Sequence, residues 1–151
     1  METSFEPSIR VVNEDITKNY PDYYCGYHYV DNQLVIWITD TTSDSYRKDL
    51  ERRCGGIGFV IQQAQHSYNE LSLIRDKVSE SKQRGVWRKY KVTGCGIDTE
   101  QNKILVLLAD VSAENTKGFE AEFPEYPSMF TFLHLAPAVE YTSGGTGSVT
   151  Y

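Results

Sequence analysis

The sequence predicts an α+β fold: two layers, antiparallel sheet with helices on one face, built from two ββαβ repeats joined by a helix. Three observations carry this reading. Two β-rich runs, at 23–30 and 33–40, flank Asp31-Asn32, the pattern of a hairpin with a tight turn. The second half of the chain echoes the first at an offset of 70 residues, matching Cys25 to Cys95, Gly26 to Gly96, Asn32 to Asn102 and Asp40 to Asp110. Between the halves, Ser67-Tyr68-Asn69-Glu70 has the spacing of a capping box and opens an amphipathic stretch.

The elements follow in order. Residues 1–20 lack a clear period and read as a lead-in, with a turn of helix expected around Asn13–Lys18. The first hairpin ends at the polar stretch 41–45, which supplies a cap. Tyr46, Leu50 and Cys54 then recur at four-residue spacing and predict a short helix that Gly55-Gly56 stops. A third strand is expected at 57–63. Tyr68, Leu71, Ile74 and Val78 share one helical face, so a helix is expected over 67–83, with Gly85 as its stop.

In the second half, 86–97 reads as a strand, Asp98–Asn102 as its turn and 103–110 as the return strand. Ser112 opens a helix to about Phe123, Pro124 and Pro127 punctuate, and 128–135 is a last strand. The domain is expected at 21–139, with half-repeats near 23–63 and 92–135. Residues 140–151, rich in glycine and uncharged after Glu140, read as a flexible linker or tail. Two copies are too few for a solenoid and pair instead within one compact domain.

Composition narrows the function. The chain of 151 residues has a net charge of −6, so its overall field disfavours phosphate backbones and anionic membranes, and no nucleic acid or membrane partner is expected. Its first residues are acidic and polar, unlike a signal peptide. Cys25, Cys54 and Cys95 form no C-x-x-C pair and read as small apolar side chains. Spacing leaves a single disulfide between two of them open.

No residue pattern points to catalysis. The chain has no G-x-S-x-G elbow, and His28, His66 and His134 are far apart in sequence. Cys54 sits before Gly55-Gly56 at an expected helix C-terminus, where the dipole raises a thiol's pKa. No clustered ligands suggest a metal, and neither the Gly94-Cys95-Gly96 stretch nor 144–147 leads into a helix as a phosphate loop does. Neither a cofactor nor enzymatic activity is expected. One basic patch stands out, with Lys82, Arg84, Arg88, Lys89 and Lys91 around Trp87 and Tyr90. Such a mixture binds single-stranded nucleic acid in other settings. On an acidic chain it reads first as a solvated helix end and an edge strand guarded by lysine, and next as a protein-binding edge.

Residues 20–40, the HisSerTyrAsnGluLeu stretch at 66–71 and GlyIleAspThrGluGlnAsnLysIleLeuVal at 96–106 together resemble the pro-region of bacterial chymotrypsin-like serine proteases, of the alpha-lytic protease and streptogrisin type. The resemblance covers about residues 18–135 and rests on residue type rather than on signature residues. It implies an α+β module that assists the folding of a protease domain, inhibits it, or both. It also implies export to the cell envelope or beyond as part of a precursor, and a tail from Glu140 directed at the protease active site. No protease domain or catalytic residue is present in these 151 residues. The candidate protein-binding residues are therefore Trp87, Arg88, Tyr90, Glu140, Tyr141 and Thr142. The alternative is a stand-alone interaction or ligand-binding domain whose partner is not a protease.

Overall fold

The structure, a computed structural model, describes residues 20–141 and 147–150. The expected helical turn at Asn13–Lys18 lies outside them. The fold is α+β, with two three-stranded mixed sheets and four α-helices among the described residues. The chain divides into two compact units. One holds residues up to Ser72 together with Thr99–Asn102, and the other holds Leu73–Asp98 and the residues from Lys103 on.

The first unit contains β1 (Tyr24–Val30), β2 (Gln33–Ile38), α1 (Asp44–Cys54) and β3 (Phe59–Gln63). Asp31 and Asn32 both take positive φ, 50° and 67°, the conformation that a two-residue hairpin turn of matching twist requires. β2 turns Leu34, Ile36 and Ile38 into a core completed by Tyr24, Leu50 and Cys54. At the start of α1 the Tyr46 N–H donates to the Ser43 hydroxyl, and Gly55 closes it in the left-handed conformation. The polar face of α1 then holds Asp49 between Arg52 and Arg53.

The second unit repeats this plan with β4 (Val92–Asp98), β5 (Lys103–Leu108), α4 (Ala113–Ala121) and β6 (Phe130–His134). Ile104, Val106 and Leu108 alternate into the interior, and the fully buried Phe119 packs on Phe123, Phe130 and Phe132. In sequence, α2 (Tyr68–Glu80) comes between the two sets, with Leu71, Ile74 and Val78 buried as its period predicts. A 3-10 turn over Ser81–Arg84 extends it, and Gly85, at φ 81°, ends it.

Three expectations are corrected. Each sheet is mixed rather than antiparallel: β1–β2 and β4–β5 pair antiparallel, but β3 joins β2, and β6 joins β5, in parallel. The cause is topological, because a helix between two neighbouring strands carries the chain back to start the second in the same direction. Residues 86–90 are not strand but a short helix, α3 (Val86–Tyr90), and β4 begins only at Val92. Val86 is buried, and Lys91 takes φ 58° to turn the chain from helix to strand. The expected flexible tail at 140–151 holds strand instead, as β7 (Ala138–Tyr141), which begins two residues before it, pairs antiparallel with β8 (Gly147–Thr150). Val139, Tyr141 and Val149 are of residue types that favour strand.

The internal repeat is real but its register differs between strands. β2 and β5 correspond at an offset of 70, and Asn32 and Asn102 both take positive φ. Asp40 and Asp110 each accept the backbone N–H two residues on. β1 and β4 instead correspond at 68, because the first hairpin turns on two residues and the second on the four residues 99–102. Gly26, opposite Trp37, is therefore the counterpart of Gly94, opposite Leu107, and not of Gly96. Both first strands carry a bulge just before that glycine.

Candidate protein-binding surface

α3 brings Trp87, Arg88 and Tyr90 together. Trp87 is half-buried: its Nε1–H donates to the Val78 carbonyl at 2.8 Å, and the Lys82 ammonium lies 5.3 Å from its ring centre. Tyr90 is held in place from several sides. Its hydroxyl donates to Glu122 at 2.9 Å, and its ring meets Phe119 edge-on and lies against Gly118, which a Cβ there would approach to 2.6 Å. Arg88 is exposed. Of the three, only Arg88 is free of such a packing role. Glu140 and Tyr141 lie in β7, and Thr142 falls outside the described residues.

The thiols and imidazoles are bound into local structure. All three cysteines are free. Burial pushes the Cys25 thiol up to about 12, with the charge of Glu70 adding to it, and burial pushes Cys54 up to about 11. Neither supplies thiolate at neutral pH. Cys95 is half-buried, its sulfur 3.4 Å from the Ser79 hydroxyl. His28 Nδ1 accepts the Trp37 indole N–H at 3.0 Å, and His66 Nδ1 lies 2.9 Å from the Glu70 carboxylate. His134 is exposed on β6. Among the described residues no three of His, Cys, Asp and Glu come together as a metal-binding group.

A surface that the sequence reading did not single out lies on β6. Among the described residues this strand has one neighbour, β5, and so presents an open edge. Leu133 and Leu135 are 58% and 48% exposed, and the side-chain oxygen of Thr131 is buried with no hydrogen-bond partner. Sheet edges are ordinarily guarded by charge, proline or a bulge. β1 and β4 carry bulges, whereas residues 128–135 contain no Lys, Arg, Asp, Glu or Pro. That uncharged run was the available signal.

Two clefts lie on the described surface of the second unit. One, of about 300 Å³, is lined by Lys77, Glu80, Arg84, Glu122, Phe123 and Glu125. The other, of about 460 Å³, lies between Lys89–Lys91 and the start of α4. Neither lining holds a cysteine or a histidine. No model of a known protein family matches the sequence, and a comparison with curated proteins gives no match.

Proposed function

We propose that this chain is a non-catalytic, pro-region-like module that assists the folding of a chymotrypsin-fold serine protease, inhibits it, or both, by protein–protein binding. The open edge of β6 carries the reading. An unguarded edge strand with protruding Leu133 and Leu135 suits strand addition, in which main-chain hydrogen bonds supply affinity and alternate side chains supply selectivity. The protease as partner rests on the resemblance of 20–40, 66–71 and 96–106 to secreted-protease pro-regions.

The test mixes the purified full chain with a bacterial chymotrypsin-fold serine protease of the alpha-lytic or streptogrisin type and follows residual proteolysis. Inhibition is expected, and Leu133→Glu/Leu135→Lys should abolish it while leaving the urea midpoint unchanged, because both side chains are exposed. Undiminished proteolysis at large excess of the chain would sink the inhibitor role. If the chain also failed to raise the refolding yield of the denatured protease, the partner would be a protein of another kind.

A further inference from the structure

The second unit also carries a concentrated positive charge. Residues 81–97 contain five cations, Lys82, Arg84, Arg88, Lys89 and Lys91, and no carboxylate, on a chain whose net charge is −6. All five are exposed. The 3-10 turn, Gly85 and α3 follow one another directly, so these charges fall within the ten residues 82–91, a corner of the second unit where two elements meet at Gly85. Among the described residues Lys89 pairs with Glu122 at 3.9 Å, and Asp110 and Glu114 share a cleft with Lys89 and Lys91. Val86 is buried beneath, and Trp87 is tied to Val78, so the backbone that presents the charges is anchored.

We propose that this corner docks an acidic polypeptide segment. Two observations favour carboxylates over nucleic acid. Single-stranded nucleic acid needs free aromatic faces on which bases stack. Here Lys82 covers one face of Trp87, and the Tyr90 ring and hydroxyl are engaged by Gly118, Phe119 and Glu122. Second, Glu80 and Glu122 border the cations, and the surrounding chain is acidic, so attraction is confined to the corner. With screening over about 8–10 Å at physiological salt, a short acidic segment feels the corner while a long polyanion also meets the repulsive remainder. The exposed Arg88 guanidinium supplies a planar fork for a carboxylate, and the lysines supply less directional charge. This surface is distinct in residues from the β6 edge and does not depend on the partner being a protease.

The test titrates the full chain into a fluorescently labelled poly-L-glutamate peptide and into a labelled oligothymidylate of equal charge, reading anisotropy at several salt concentrations. The peptide is expected to bind saturably, more tightly than the oligonucleotide and more weakly as salt rises. Lys82→Glu/Arg88→Glu should weaken peptide binding at least tenfold. Arg47→Glu/Lys48→Glu on α1, which removes the same charge elsewhere, should change it less than twofold. Arg88→Ala, a milder change at an exposed site, should weaken it measurably and keeps the test open if the double variant is unstable. Tighter binding of the oligonucleotide, equal losses in the two reversals, or no saturable peptide binding overturns the proposal. So does self-association without peptide that Lys82→Glu/Arg88→Glu abolishes, which would make a second copy the occupant.

Discussion

The side chain of Asn102 forms two reciprocal hydrogen bonds with the backbone of His66: the His66 N–H donates to Oδ1 at 2.7 Å, and Nδ2 donates to the His66 carbonyl at 2.8 Å. The amide thus imitates a neighbouring strand for the residue just before the Ser67 cap. Asn102 itself is buried, and its φ of 56° tightens the turn 99–102. Thr99, at the other end of the turn, lies against Gly26, where a Cβ would meet it at 2.9 Å.

Asn102→Ala should therefore cost about 2–3 kcal/mol, from two lost hydrogen bonds and an alanine forced to positive φ. Asn102→Gly relieves the backbone but not the hydrogen bonds, and should cost roughly 1 kcal/mol less. Urea midpoints at constant slope measure both. Equal midpoints for the wild type and both variants would show that the Asn102–His66 bridge contributes nothing.

Gly118→Ala in α4 should destabilise the protein although alanine is the better helix former by about 1 kcal/mol. The new Cβ would stand 2.6 Å from Tyr90 Cε1, and the ring has little room while its hydroxyl holds Glu122. Removing the ring should remove the conflict. Gly118→Ala measured in a Tyr90→Ala background is expected to be neutral or stabilising, a coupling above roughly 1 kcal/mol in a double-mutant cycle. Additive effects would place the ring elsewhere.

Tyr23 and Asp49 give stability an upper and a lower pH limit. Burial alone would raise the Asp49 carboxyl, but hydrogen bonds from Tyr23, Arg53 and Arg52 outweigh it and hold the group below the usual carboxylate range. A depressed folded value contributes stability above the unfolded pKa of about 3.9, and that stability is lost as pH falls through the folded value. Tyr23 is raised by burial, then by the hydrogen bond to Asp49 and its charge. Its contribution is full below the unfolded pKa of about 10 and is lost as pH rises toward the folded value. Tyr23→Phe should cost about 1 kcal/mol at neutral pH and reduce both losses. Chemical denaturation across pH measures this, and an unchanged alkaline limb would exclude Tyr23 as its source.

Ser67→Ala should cost about 1 kcal/mol, since its hydroxyl accepts the Glu70 N–H at 3.1 Å. Leu71→Ala, at a fully buried position, should cost about 2–5 kcal/mol. The expected return contact from Glu70 to the serine backbone is not made, because the Glu70 carboxylate holds the His66 ring instead. Glu70→Gln is accordingly expected to perturb His66 more than the start of α2, which the chemical shifts of the imidazole ring and of the α2 backbone amides would resolve. An unshifted His66 resonance would contradict that pairing.

Features governed by short-range chemistry were legible in the amino-acid sequence. Asp31-Asn32 dictated a turn because these residues tolerate positive φ, the polar stretch 41–45, Ser67 and Ser112 marked helix starts because hydroxyls there satisfy free N–H groups, and the period of Leu71, Ile74 and Val78 marked a buried face. Two ββαβ units followed from these. The candidate residues were legible only in part: Trp87, Arg88 and Tyr90 do lie together, but on a helix, with two of the three already engaged by their neighbours.

The rest depended on contacts between residues far apart in the chain. ValTrpArgLysTyr suits a strand by propensity, and becomes helix because Val86 finds the core and the Trp87 indole finds the Val78 carbonyl. β3 and β6 run parallel to their neighbours because a helix returns the chain, and no local pattern encodes strand direction. The two-residue difference between the hairpin turns shifts Gly26 onto Gly94, a register set by pairing and invisible to a gapless comparison. The open edge of β6 is likewise a property of which strand ends the sheet, and only the assembled backbone decides that.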